Sequence, residues 1–304
     1  MCLGHASHPG TPGSDELVPS RYAVRIGEIE VLVISDGVLA LSAATLATNA
    51  KPAALQAWLD DLFLPLETFP WGTNVVVVRT GGRTILVDSG VGGAYPDFPQ
   101  AGRLAVRLEA AGIDPASITD AVLTHMHMDH VGGLLVDGLR SRLRPDLRVH
   151  VAAAEVEFWQ SPDFSHTDMP EPIPDVLRKT AARFVDAYRS ELRPFDKEYE
   201  VAPGVLVCHT GGHTAGHSVV RLASGGKRLT FVGDAVFPVG FDRPEWFNGF
   251  DHDPETAAEV RIRLLREMAA SGELLVGTHL SFPSIIRVAA AGDVFRSVPA
   301  AWEY

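Results

Sequence analysis

Cysteine is nearly missing from this chain: Cys2 and Cys208 are the only two among 304 residues. One thiol beside the N-terminus and one in an apolar stretch give neither a disulfide framework nor a cysteine zinc site. No apolar run approaches the roughly 20 residues that span a bilayer. Basic blocks are lacking too. Twenty-six Lys and Arg stand against 38 Asp and Glu, interspersed, for a formal charge of −12. Such a surface repels phosphate backbones, which excludes nucleic acid as a partner. The opening MCLGHASHPGTPGSDE lacks the basic start and apolar centre of a signal peptide. Residues 1–20 therefore read as a disordered lead-in, and the cytoplasm is the expected location. What the chain has in quantity is apolar side chains, 46% of the total. That is enough for one large α/β domain over residues 21–304 without staples.

Periodicity divides this domain into strands and helices. Tyr22–Ile26 and Ile29–Ile34 flank Gly27 as a hairpin, and Asn74–Arg79 with Thr84–Val87 flank Gly81-Gly82 as another. Leu104, Leu108 and Ala111 recur at helical spacing before Gly112. Ala121–Leu123 reads as a buried strand, Arg148–Val151 as a strand, and Ala153–Gln160 as a helix. Residues 161–200 differ in composition, with prolines, aromatics, charges and an amphipathic stretch over 176–192. They read as a lid-like insertion packed over the site. Val219–Leu222 and Arg228–Val232 turn at Gly225-Gly226. Asp253-Pro254 caps a helix to about Ala270, and Glu273–Gly277 is a last buried strand. Strand-rich halves alternating with helices imply two sheets sandwiched between helices.

The chemistry is concentrated in Thr124-His125-Met126-His127-Met128-Asp129-His130-Val131-Gly132-Gly133. Residues two apart on an extended chain point the same way, so His125 and His127 reach one ion together. Asp129 and His130 project from the following turn toward a second. Imidazoles with a carboxylate suit zinc, and are compatible with iron, cobalt or manganese. Gly132 and Gly133 let this turn press close to neighbouring backbone. Further ligands are expected where strands end: His213 in GHTAGH, Asp234 in GDA and His279 in GTH. A carboxylate such as Asp234 bridges cations roughly 3.5–4 Å apart.

With HxHxDHxGG, GHTxGH, GDA and THL in this order, the chain resembles the metallo-β-lactamase superfamily from about Tyr22 to its end. The resemblance implies an αββα sandwich, with His125, His127 and His213 on one ion. Asp129, His130 and His279 would hold the other, and Asp234 would bridge. It implies that Asp88, in VDSG, orients a ligand or the metal loop, and that His217 supports that loop. Ser35-Asp36-Gly37, AEVEFW at 154–159 and THLSFP at 278–283 are similar to the methyl parathion hydrolase and lactonase branch. That branch lines an apolar pocket with aromatics, which implies Trp159, with Tyr95, Phe98 and Phe184 as looser candidates. The family also implies a homodimer. His150 reads as packed core, and His5, His8, His166, His209 and His252 receive no role.

A water between two cations loses its proton near neutral pH without a strong protein base. Asp129 or Asp234 could shuttle that proton. The expected reaction is hydrolysis of an ester-like bond in an apolar, uncharged small molecule, with aryl phosphotriesters and lactones as leading substrates. Homoserine lactonases of the family usually carry Tyr three residues after the bridging Asp, where this chain has Phe237, a further candidate for the pocket wall. Asp234 argues against penicillins, His127 against a flavodiiron role, and the acidic surface against RNA processing. A metal-free binding scaffold fits poorly, because every ligand position is filled.

Overall fold

In the computed structural model, the residues described are 18–93, 98–165, 167–301. Tyr95, His5, His8, His166 and most of the 1–20 lead lie outside them.

Two seven-stranded sheets lie face to face. The first runs in chain order: β1 (Arg21–Ile26), β2 (Ile29–Leu41), β3 (Phe69–Thr80), β4 (Arg83–Val87), β5 (Asp120–Val122), β6 (Arg148–Ala152) and β7 (Leu192–Phe195). Its first four strands are antiparallel and β4 to β7 are parallel. The second contains β8 (Glu198–Ala202), β9 (Val205–His209), β10 (Ser218–Ser224), β11 (Lys227–Phe231), β12 (Leu274–Val276), β13 (Ile286–Ala291) and β14 (Val294–Pro299). Among the described residues, only β11 and β12 pair in parallel there.

Alternation explains the layers. Val76, Val78, Ile85 and Val87 face inward against Val205, Val207, Val220 and Phe231 of the other sheet. Their neighbours Val75, Val77 and Leu86 point out, under helices α1 (Pro52–Asp61) and α2 (Leu104–Ala110). Strands covered on both faces are therefore almost continuously apolar. Two very short helices follow the sequence of the site, α3 (Met128–Val131) and α4 (Ala153–Phe158). Helix α5 (Ile173–Tyr188) packs its Leu177, Ala181, Phe184 and Tyr188 into the same outer core. After α6 (Val239–Asp242), α7 (Pro254–Ser271) covers the second sheet through Val260, Leu264, Leu265 and Met268. Asp253 caps α7 by accepting the Thr256 N–H, and Gly272 closes it at φ +65°. The layers are thus helix, sheet, sheet, helix. Among the described residues, no helix is long and apolar enough to cross a membrane.

Two differences from the sequence reading matter for the site. Strand β3 begins at Phe69, five residues earlier than the pattern suggests, despite Pro70 and Gly72. This stretch pairs with β2 alone, since β4 reaches only Val76 to Thr80, and proline is tolerated at such an edge. Segment 161–200 is composite. Helix α5 covers the first sheet, while Leu192–Phe195 and Glu198–Ala202 are edge strands of the two sheets.

Candidate metal centre

The ligands follow strand ends, Asp129 and His130 from the short helix α3 after β5. Strand β5 is buried along its length and leads into residues 124–127, with His127 at φ −65°, ψ 159° before α3 begins. The rings of His125 and His127 come to 4.5 Å between centroids, as same-side residues should. His213 follows β9, Asp234 follows β11 and His279 follows β12. Gly132 and Gly133 sit so close to the carbonyls of Val91 and Ser89 that a Cβ at either position would collide with backbone.

Ligand atoms of His125, His127 and His213 converge within 4.8 Å of one another, those of Asp129, His130 and His279 form a second group, and His125, His130 and Asp234 form a third that joins the two. His213 Nε2 lies 3.2 Å from His127 Nδ1. Asp234 stands between the groups. Its Oδ2 is 3.5 Å from His213 Nε2 and 2.9 Å from His279 Nε2, and its Oδ1 is 3.3 Å from His130 Nε2. Asp129 Oδ2 is 3.3 Å from His279 Nε2. All seven predicted ligands therefore meet in one place.

The far nitrogen of four of these imidazoles is held by an oxygen. His130 Nδ1 lies 2.8 Å from Asp88 Oδ2, which also accepts the Thr124 hydroxyl at 2.8 Å. Thr124 Oγ1 is 3.0 Å from His125 Nδ1. His213 Nδ1 is 2.8 Å from Asp251 Oδ1, and His279 Nδ1 is 2.7 Å from the Gly72 carbonyl. Such partners fix tautomer and ring orientation. His217 is not available as a ligand: its Nε2 accepts the Asp234 N–H at 3.1 Å, and its Nδ1 lies 2.9 Å from Thr210 Oγ1. It positions Asp234.

Several supporting residues carry no local sequence signal of their contacts, although Asp36 and Glu155 lie within the SDG and AEVEFW motifs. Glu155 is fully buried and accepts from Met126 N–H, Trp159 Nε1–H, Thr214 Oγ1–H and Gly216 N–H at 2.6–2.8 Å, tying the two ligand loops together. Asn74 Nδ2 donates to the carbonyls of Thr278 and Leu280 at 2.9 and 2.7 Å, pinning the His279 loop. Asp36 sits at a β-bulge of β2 and accepts the N–H groups of Val91, Gly102 and Leu104. Asp251 and His252 belong to this supporting set as well.

Electrostatics separate the two groups. Burial, with His130 and the other neighbouring imidazoles, pushes His125 well down, and burial with His213 and His252 does the same to His127. Burial also opposes charge on His130 and His279, but Asp234 and Asp129 outweigh it. His130 is held well above its ordinary value and His279 at about 10. Asp234 is correspondingly pulled well down by His279 and His130, against the opposing effect of burial. His125 Nε2, His130 Nε2 and Asp234 Oδ1 are buried with no hydrogen-bond partner among the described residues. Unpaired buried donors and acceptors are costly. Convergent unpaired imidazoles around a shared carboxylate are the donor set a divalent ion such as zinc satisfies.

Beside this cluster a cleft has His127, Asp129, Asp234 and His279 as its polar floor. Its walls are apolar: Leu39, Leu41, Phe98, Phe250, and Ile173 and Leu177 of α5. Phe98 lines the cleft as expected. Phe184 does not, because it is fully buried and stacked on Tyr188 beneath α5. Trp159 stands behind His127 with its ring 6.1 Å away and its N–H on Glu155. Phe237 lies flat on His279, 8° from parallel at 5.5 Å, so both support ligands rather than face the cleft. Trp71, unpredicted, lines the cleft and meets His279 edge-on at 5.1 Å.

Fold and centre together define a layered α/β protein with a buried His/Asp metal site at the ends of its strands. A family model described as the metallo-beta-lactamase superfamily matches residues 68–279. The chain belongs to that superfamily. A Beta-lactamase-like protein 2 homolog of Drosophila melanogaster is 29% identical over 172 residues, 56% of this chain and 48% of that protein. An N-acyl homoserine lactonase of Bacillus sp is 25% identical over 174 residues, 57% of this chain and 60% of that one. The chain thus spans about half the length of the curated relatives it matches. Among solved structures, the dizinc quorum-quenching lactonase AidC superposes with a TM-score of 0.84 at 24% identity, covering 94% of this chain and 99% of AidC. The hydrolase AbOPH, of the beta-lactamase superfamily, gives 0.83 at 26% identity with the same coverage.

Proposed function

We propose that this chain is a dinuclear metal hydrolase, zinc being the expected metal, that opens lactones or cleaves ester-like bonds in apolar, uncharged substrates. The observation that carries this reading is the carboxylate of Asp234 lying between two ligand groups at the floor of an apolar cleft. Divalent ions, when bound, polarise a substrate oxygen and lower the pKa of water. The chain's own residues supply the remainder. The aliphatic and aromatic walls exclude bulk water and favour an apolar substituent. Asp129, a ligand on that floor, is placed to take up a proton and return it to a leaving alkoxide. Structural likeness to a lactonase, and sequence likeness to another, support the lactone.

A second substrate class is the aryl phosphotriester. Phe237 carries no hydroxyl and is buried against His279, which weakens the homoserine-lactone reading, because homoserine lactonases of the family usually carry Tyr at that position. Initial rates of zinc-loaded protein on an N-acyl homoserine lactone, a simple γ-lactone and paraoxon, each repeated after chelation, test the assignment. Faster turnover of either lactone establishes the first class, and faster paraoxon turnover the second. Rates indifferent to chelation refute both.

A further inference from the structure

Four of the five imidazole ligands turn their far nitrogen to an oxygen of Thr124, Asp88, Asp251 or Gly72. His127 does not. Its Nδ1 faces His213 Nε2, and its Nε2 lies 3.1 Å from Nε2 of His252. Two ring nitrogens at that distance share one proton, so one ring donates and the other accepts.

We infer that His252 is a positioning residue, whose neutral ring accepts the His127 Nε2–H and thereby reserves the His127 Nδ1 lone pair for a metal ion. This deepens the proposed function and rests on it. The proton count follows from geometry. An ion at the His125, His127 and His213 group takes the Nδ1 lone pair, leaving the proton of His127 on Nε2. His252 Nε2 must then present its lone pair, which places the His252 proton on Nδ1. That nitrogen is buried and has no hydrogen-bond partner among the described residues. Phe158 and Phe164 pack on the same ring at 4.7 and 5.2 Å between centroids, so apolar neighbours hold it in place. The backbone does the same: His252 N–H donates to the His213 carbonyl at 2.9 Å, beside Asp251 on the His213 ring. One short segment, residues 251–252, thus sets the orientation of two of the three imidazoles in this group.

The test is competition of zinc against a chromophoric chelator in the metal-free wild type, His252→Phe and His252→Gln, with thermal unfolding of each metal-free protein as a control. Phe keeps the packing and removes the acceptor, whereas the Gln side-chain oxygen can accept in its place. Outer partners of metal-binding histidines are typically worth about 10- to 100-fold in affinity. His252→Phe should weaken one zinc equivalent by that factor and leave the other within about twofold, and His252→Gln should recover most of the loss. Unchanged affinities in His252→Phe, or equal losses in Phe and Gln, overturn the inference while leaving the hydrolase reading intact. Failure of the wild type to bind zinc overturns both.

Discussion

The two ligand groups are built from the same few residue types and behave as opposites. His125, His127 and His213 are three imidazoles, and burial among like groups drives His125 and His127 toward the neutral form. Asp129, His130 and His279 include a carboxylate and share Asp234, which holds His130 and His279 in the charged form. His125 and His127 offer free lone pairs to a cation. The second already carries cations, as protons on its imidazoles, and a metal must displace them. A single carboxylate touching both groups couples two sites whose resting charge differs.

Removing that coupling gives the largest effect. Asp234→Ala takes the shared carboxylate from both groups, and since even outer partners of metal ligands cost about 10- to 100-fold, activity should fall by more than ~100-fold. Zinc content by atomic absorption should drop below two equivalents. Full zinc occupancy in this variant would show that the groups are independent. Next come paired changes that act on one group each. Glu155→Ala leaves four buried donors around the His125 and His213 loops without an acceptor. At about 1–3 kcal/mol for each unsatisfied buried group, thermal unfolding should shift by at least several degrees and the imidazole group should lose zinc first. Asp88→Asn touches the other group through His130. If both variants weaken the same zinc equivalent, the division into two groups is wrong.

A smaller effect is a count of protons. The raised value of His279, about 10 against an unfolded value near 6.5, sets the sign. Protonated His279 stabilises the metal-free fold fully below pH ~6.5, and that contribution is lost as pH rises through about 10. His130 acts in the same direction. Zinc binding at pH 6 should therefore release roughly two protons, one each from His130 and His279, and none from His125 or His127. Calorimetric titration in buffers of different ionisation heat measures this directly. Equal release with both equivalents would erase the contrast.

How much of this contrast is visible in the sequence depends on distance along the chain. The candidates from His125 to His130 lie in six consecutive residues, and His213, Asp234 and His279 each follow an apolar run, so pattern and strand logic single out all seven residues that the fold brings together. The layered architecture follows from the same alternation, as Val75 to Val78 show. The partners that make the groups differ are chosen by tertiary closure. Glu155 reaches a loop 59–61 residues away, and Asn74 reaches the His279 loop across more than 200. The Gly72 carbonyl is backbone and leaves no mark in sequence at all. His252 carries no signal in the sequence, because a lone imidazole in a loop is uninformative until its neighbour is known. Aromatic residues misled in the opposite direction. Phe184 and Phe237 have the composition of a pocket wall, but a ring's apolar area serves a core or a ligand's flank equally well.

Phe237 supplies the subtlest test, because it acts on one group without touching its charge. Its ring stacks parallel to His279 with an offset, while Trp71 closes on both rings edge-on at 5.1 Å. This aromatic box restrains the plane of His279, and hence the direction of Nε2 toward Asp129 and Asp234. Aromatic pairs contribute about 0.5–1.5 kcal/mol beyond the area they bury, so Phe237→Leu should weaken the carboxylate-containing group by no more than about tenfold. The imidazole group should be unaffected, although the His213 ring lies 5.9 Å from Phe237, because Asp251 already fixes that ring by a hydrogen bond. Stepwise zinc affinities by chelator competition distinguish the cases. A loss confined to one equivalent shows that ring stacking orients His279. A loss in both would mean that Phe237 holds the two groups together as a packing unit, and that their separation is electrostatic only.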